Sequence, residues 1–256
     1  MEQKLFFTNS KGSKLCGIVS DPTHDKSKPV IIMIHGFSSN KNTVKFTRLQ
    51  DILNPKGIST FRFDIWGHGE SKGKFEDITI TEAVDDILCA IAFVKRQGYV
   101  KIGLLGSSFG GISSIMASSK SPDLFLLTLI SPVSNYEEKE IMTKSNQELD
   151  NWKKDGFRYY ETSDKRKLKL NYTFYKDFKN NDGYKAAPNI NIPTLIVHGD
   201  ADKTVPVSQS IKTSKLIPHC KLVRIKDADH RYTDEKHLKK LLITVSDFII
   251  DHSFVS

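Results

Sequence analysis

The 256-residue chain is predicted to fold as an α/β protein with a largely parallel sheet covered by helices. Three observations lead there. Short apolar runs alternate with stretches of helical period along most of the length. The longest apolar runs, 30–34 and 124–130, are strand-sized and far below the roughly 20 residues that span a bilayer. The length fits one large α/β domain or two small ones, and a domain of this length buries most of its surface, so it needs no disulfide or metal staple. A hydrophobic share of 38% with 27% charged residues fits a globular domain and excludes a disordered one.

In chain order, 5–8 and 15–19 read as an opening hairpin joined through Asn9-Ser10-Lys11-Gly12, and 22–29 as a polar loop. Strands of β-branched and apolar residues are expected at 30–35 and 59–64. A helix is expected at 43–53, stopped by Asn54-Pro55-Lys56-Gly57. Another at 81–97 carries Ala83, Ile87, Ala90, Ile91 and Val94 on one face and ends before Gly98. A strand at 101–106 runs into a helix starting just after Ser108. Strands at 124–131, 194–198 and 221–225 and a final helix at about 234–250 complete the pattern.

The alternation breaks at 134–187. This insert is rich in aromatic and charged residues, too aromatic for a disordered linker, and reads as a lid over the site. Leu168, Leu170, Tyr172 and Phe174 recur at every second position, which suggests a hairpin turning near 162–165. The core is therefore expected at 1–133 and 188–256.

Gly106-Ser107-Ser108-Phe109-Gly110 matches G-x-S-x-G between a strand and a helix, the setting of a strained nucleophile turn. A serine attacks only if a base removes its proton and an acid holds that base in the right tautomer. After Ser108, the strand at 194–198 delivers Asp200 and Asp202, and the strand at 221–225 delivers His230. Asp202 is favoured over Asp200, although spacing does not settle between them. Asp227 and Asp229 are read as capping or orienting the turn before the last helix. The strand ending at His35-Gly36-Phe37 offers backbone donors for an oxyanion, namely the N–H groups of Phe37 and Phe109. His35 and His68 read as structural, and histidines 24, 198, 219, 237 and 252 have no supporting constellation.

Together with Phe61-Arg62-Phe63-Asp64-Ile65-Trp66-Gly67-His68-Gly69-Glu70-Ser71, His198-Gly199-x-x-Asp202-x-x-Val205-Pro206 and Asp229-His230, these runs resemble the α/β-hydrolase superfamily over nearly the whole chain outside 134–187. Within it, Gly-Phe-Ser-Ser-Asn-Lys-Asn after His35 and Gly73-Lys74-Phe75-Glu76-Asp77 are most similar to bacterial cinnamoyl/feruloyl esterases. The resemblance implies an eight-stranded, mostly parallel sheet flanked by helices, Asp202 as the acid, and a compact lid that sets acyl choice. One departure is the turn Gly-Ser-Ser-Phe-Gly, where these esterases more often carry Gly-His-Ser-Gln-Gly. The other is the insert, the least matching part.

The expectation is a serine hydrolase of carboxylic esters, of aromatic (hydroxycinnamoyl) or short acyl groups, acting through an acyl-enzyme with no cofactor and no metal. A peptidase or acylaminoacyl amidase, a thioesterase, and a non-catalytic binding member of the fold are the alternatives. A dehalogenase of this fold would carry Asp at position 108 and a dienelactone hydrolase Cys. The expected partner is a small-molecule ester, with a homodimer left open. The net charge of +8 is spread among alternating acids, its densest cluster being Lys165-Arg166-Lys167 with Lys169, so neither nucleic acid nor membrane is expected. Three scattered cysteines and an N-terminus without an apolar core favour the cytoplasm.

Overall fold

The computed structural model describes residues 2–162 and 165–254, with the backbone alone for 141–143. Its main sheet is built from β1 (Glu2–Thr8), β2 (Lys14–Ser20), β3 (Val30–Ile34), β4 (Ser59–Phe63), β5 (Ile102–Ser107), β6 (Leu124–Ile130), β9 (Thr194–Gly199) and β10 (Cys220–Ile225). The spatial order is β1-β2-β4-β3-β5-β6-β9-β10. Only β2 runs against its neighbours, so the eight strands form the mostly parallel sheet that the resemblance implies.

Strands β3, β5 and β9 are buried along their full length, which explains their unbroken apolar spelling: both faces of the sheet are covered. On one face, α2 (Ile80–Arg96) and α3 (Phe109–Ser118) pack over Ile32, Ile34, Leu104, Leu127 and Leu129. On the other, α1 (Val44–Leu53) and α9 (Glu235–Ser253) cover Ile31, Met33, Leu105 and Val197. The helix α8 (Val207–Leu216) links β9 to β10. The β-strand termini that carry Ser107, Gly199 and Ile225 thus open at one edge, where a parallel sheet exposes its C-terminal ends to a ligand.

The stretch 134–187 folds as α4 (Tyr136–Thr143), α5 (Asn146–Asp155), the hairpin β7 (Phe157–Glu161) with β8 (Lys167–Asn171), α6 (Thr173–Phe178) and the single turn α7 (Gly183–Ala186). The hairpin is antiparallel as expected, and residues 163 and 164 of its expected turn lie outside the described residues. The two-residue period does not continue through Tyr172 and Phe174: the strand ends at Asn171 and both rings belong to the helical turn that follows. Helical residues two apart point apart, yet both rings pack here, Phe174 in the core and Tyr172 against Trp152. Trp152 is buried at the centre of the insert, its indole N–H bonded to Leu170 O at 3.1 Å. Asp177 ties the insert to the core by accepting from the N–H of Ile80 at 2.7 Å, at the start of α2.

Candidate active site

Ser108 sits between β5 and α3 with φ 56° and ψ −113°, a conformation that a non-glycine residue adopts only under constraint. The constraint is visible in the flanking glycines. A Cβ at position 106 would lie 2.4 Å from Gly110 O, and one at position 110 would lie 2.4 Å from Ile34 O. The spacing of G-x-S-x-G is therefore set by backbone collisions around the turn. The N–H of Ser108 donates to Ile130 O at 3.0 Å, which fixes the turn against β6.

The structure brings the three sequence-predicted side chains together. His230 Nε2 lies 3.0 Å from Ser108 Oγ, and His230 Nδ1 lies 2.6 Å from Asp202 Oδ2. With the carboxylate accepting from Nδ1–H, Nε2 is left as the acceptor for the serine hydroxyl, the tautomer a base requires. Burial lowers the pKa of His230 from the ordinary imidazole value, against the upward pull of Asp202. The ring is thus neutral at rest. Asp200 is elsewhere: it pairs with Arg224 Nε at 2.6 Å on the surface.

Asp202 is buried, and burial alone would raise its pKa; the hydrogen bonds from His198 and His230 outweigh that and hold it well below the usual carboxylate range. Its Oδ1 accepts from the N–H groups of Thr204 and Val205, both at 2.8 Å. Its Oδ2 also accepts from His198 Nε2 at 3.0 Å, while His198 Nδ1 takes the Ser210 hydroxyl at 2.6 Å. This corrects the expectation for His198: it is fully buried and braces the acid. The signal available in the sequence was the four-residue step from His198 at a strand end to Asp202. Asp229 also differs in detail. It accepts from the N–H and hydroxyl of Thr233 and shapes the loop after His230, whereas Asp234 caps α9; Asp227 occupies a left-handed position with φ 60°.

Across the site, the end of β3 abuts the turn: a Cβ on Gly36 would be 3.2 Å from Ser108 Cβ. Among the described hydrogen bonds, the N–H groups of Phe37 and Phe109 have no protein acceptor, so both remain available as donors. The loop carrying Phe37 is held from below. His35 Nε2 accepts from Ile65 N–H at 3.2 Å, and His68 Nδ1 donates to Trp66 O at 3.1 Å, in line with structural roles for both. Buried Lys41 reinforces the same loop through Asp64 at 2.6 Å, a brace that sequence reading passed over.

Gly36, Phe37, Ser108 and His230 line a cavity of about 800 Å³. The insert contributes Tyr136, Tyr160 and Phe174 to its wall, and the Phe37 ring contacts Tyr160 and Phe174 at centroid distances of 4.8 and 5.5 Å. Of the basic cluster at 165–169, only Arg166 reaches the cavity. The arrangement can pass a proton from a serine hydroxyl to an imidazole whose second nitrogen is anchored, beside two free amide donors.

Comparisons with known proteins agree with the fold. The prolyl oligopeptidase family matches residues 45–253. Est1E from Butyrivibrio proteoclasticus, solved with ferulic acid bound, superposes with a TM-score of 0.85 at 28% identity, over 97% of this chain and 98% of that one. The mitochondrial palmitoyl-protein thioesterase ABHD10 of Mus musculus is 25% identical over 236 residues, 86% of this chain and 75% of its own length. The serine hydrolase BPHL of Mus musculus is 25% identical over 203 residues, 73% of this chain and 69% of its own length. The described residues contain no helix long and apolar enough to cross a membrane. The fold, the convergence of serine, histidine and aspartate at the sheet's open edge, and a family match from α1 to the last helix place the chain in the prolyl oligopeptidase family of α/β-hydrolase-fold serine hydrolases.

Proposed function

We propose that the protein cleaves carboxylic esters through an acyl-enzyme, with Ser108 as nucleophile, His230 as base and acid, and Asp202 as the group that orients and stabilises the imidazolium. The observation that carries this reading is the continuous hydrogen-bond path from Ser108 Oγ through His230 to Asp202, at 3.0 and 2.6 Å. Ser108 Oγ attacks the carbonyl carbon while its proton passes to His230 Nε2. The oxyanion accepts from the N–H groups of Phe37 and Phe109, each such donor contributing about 3 kcal/mol when aimed at the tetrahedral intermediate. Collapse breaks the ester bond as His230 returns the proton to the departing alcohol. Water then gives a proton to His230, attacks the acyl carbon, and the acid leaves with Ser108 restored.

The insert at 134–187 acts in this reading as the lid. The rings of Tyr136, Tyr160 and Phe174 beside Phe37 suit an aromatic or short acyl group, which ferulic acid bound to Est1E also supports. A thioester is the second reading, favoured by the ABHD10 likeness, because the same relay serves a thiol leaving group.

A fluorophosphonate probe and a matched substrate panel test the proposal. Covalent labelling is expected on Ser108 and lost in Ser108→Ala, with activity falling by about 10⁴-fold or more. Hydroxycinnamate and p-nitrophenyl esters are expected to turn over faster than their thioester and aminoacyl amide counterparts. Labelling that survives Ser108→Ala, or amide turnover above ester turnover, would overturn it.

A further inference from the structure

The cavity contains a second chemical feature that the proton relay does not use. Lys45 projects from α1 into the cavity, where its Nζ donates to Ser107 Oγ, beside the nucleophile, at 3.2 Å. Arg231, directly after His230, lines the same cavity from the loop between β10 and α9. Among the described residues neither cation forms an ion pair. The two acids whose charges act on Lys45 are already engaged. Asp202 is saturated by His198, His230 and two backbone N–H groups, and Asp229 has both oxygens on Thr233. Burial, and then the like charge of Arg231, push the Lys45 ammonium down to about 8, so it remains mostly charged near neutral pH. Glu140 in the same cavity is held by Arg158 and Lys139, so half-buried Lys45 carries a desolvation cost that a bound anion relieves, with exposed Arg231 as a second cation at the cleft.

Their position says which part of a substrate the anion belongs to. The aromatic wall gathers around Phe37, whereas Lys45 lies close enough to His230 to depress its basicity and Arg231 adjoins it in sequence. The imidazole must face the leaving group in order to protonate it. We propose that Lys45 and Arg231 form an anion subsite on the leaving-group side, selecting esters of alcohols or phenols that carry a carboxylate or phosphate. The inference rests on the hydrolase reading above and deepens it from bond type to substrate class.

The test compares 3-acetoxybenzoate with the neutral 3-acetoxybenzamide, which share an acyl group and differ in charge at one position of the leaving phenol. The kcat/KM ratio of the wild type is expected to favour the anionic ester by about tenfold or more, the size of one charge-assisted contact in a partly buried site. Both Lys45→Met and the more exposed Arg231→Gln are expected to bring that ratio toward unity. A wild-type ratio near unity, or a ratio that survives both substitutions, overturns the subsite while leaving the hydrolase reading intact. 3-Acetoxyphenyl phosphate in place of the benzoate decides between carboxylate and phosphate.

Should neither ester turn over and no fluorophosphonate adduct form, the hydrolase reading fails, and calorimetry still reads the subsite. Binding of 3-hydroxybenzoate over 3-hydroxybenzamide, weakened about tenfold in the two variants, supports it; equal binding of both compounds overturns it. Circular dichroism and thermal unfolding of Arg231→Gln guard against loss of fold, because that side chain is exposed.

Discussion

Replacing His198 with leucine separates support of the acid from the proton path. The side chain is fully buried, and leucine fills a similar volume, so the main loss is polar. Two sets of hydrogen bonds disappear: the forked one from His198 Nε2 to Asp202 Oδ2 at 3.0 Å and Val205 O at 3.1 Å, and the one from the Ser210 hydroxyl to His198 Nδ1 at 2.6 Å. The first is charge-assisted, and the second leaves Ser210 Oγ buried without a partner. Together they amount to about 4 kcal/mol, which in a domain of this size lowers Tm by roughly 10 °C. The effect on rate is smaller. Asp202 keeps the N–H groups of Thr204 and Val205 and its 2.6 Å contact with His230, so the base retains its tautomer. Loss of about 1.4 kcal/mol of orientation corresponds to a tenfold fall in kcat/KM, against about 10⁴-fold for Asp202→Asn, which presents the wrong tautomer. The assay is the second-order rate of fluorophosphonate labelling well below Tm, alongside thermal unfolding. Unchanged Tm and labelling would refute the bracing role. A loss as large as that of Asp202→Asn would place His198 in the proton path itself.

Three further outcomes follow from the geometry. Burial depresses His230, so it stays neutral below the ordinary imidazole value of 6.5 and the acid limb of kcat/KM against pH falls below that point; Lys45→Met, by removing a nearby positive charge while Asp202 and His198 stay in place, moves the limb upward. Gly110→Ala drives a methyl group toward the carbonyls of Ile34 and His35, at 2.4 and 2.6 Å, and the resulting shift of the Ser108 turn costs about 10²-fold in kcat/KM with folded secondary structure retained by circular dichroism. Burial pushes the Asp86 carboxyl up to about 7 despite hydrogen bonds from Trp66 N–H and Asn9, so the unfolded chain releases that proton first and stability falls as pH rises from about 4 toward 7; in Asp86→Asn this part of the slope, read as urea midpoints, flattens.

Strands β3, β5 and β9 were legible because burial on both faces demands unbroken apolar spelling. The relay was legible because backbone collisions force glycines on either side of Ser108 and because its partners follow in a fixed chain order. Other parts left weaker traces. Helix α8 buries Gln209, Ser210 and Thr213, so it has no apolar stripe to announce it. Lys41 is a polar residue made internal by a partner far away in sequence, and nothing in its own spelling separates it from surface residues; for His198 the trace was only its four-residue step to Asp202. The cationic pair was hidden for a related reason. Lys45 and Arg231 are far apart in sequence and ordinary in type, and only the folding of α1 against the loop after β10 makes them neighbours.

Phe37 belongs to two structures at once. Its ring is wedged among Phe75, Phe109, Tyr160 and Phe174, the last two from the insert, while its amide is one of the two unclaimed donors beside Ser108. Rings on several sides restrict rotation of the side chain, so a push on the ring is passed in part to the backbone that carries the amide. A guest that presses Tyr160 or Phe174 aside therefore also tilts the peptide plane at the reacting carbon, and a sequence change in the outer hairpin is felt as a change in chemistry without any atom of the relay being altered.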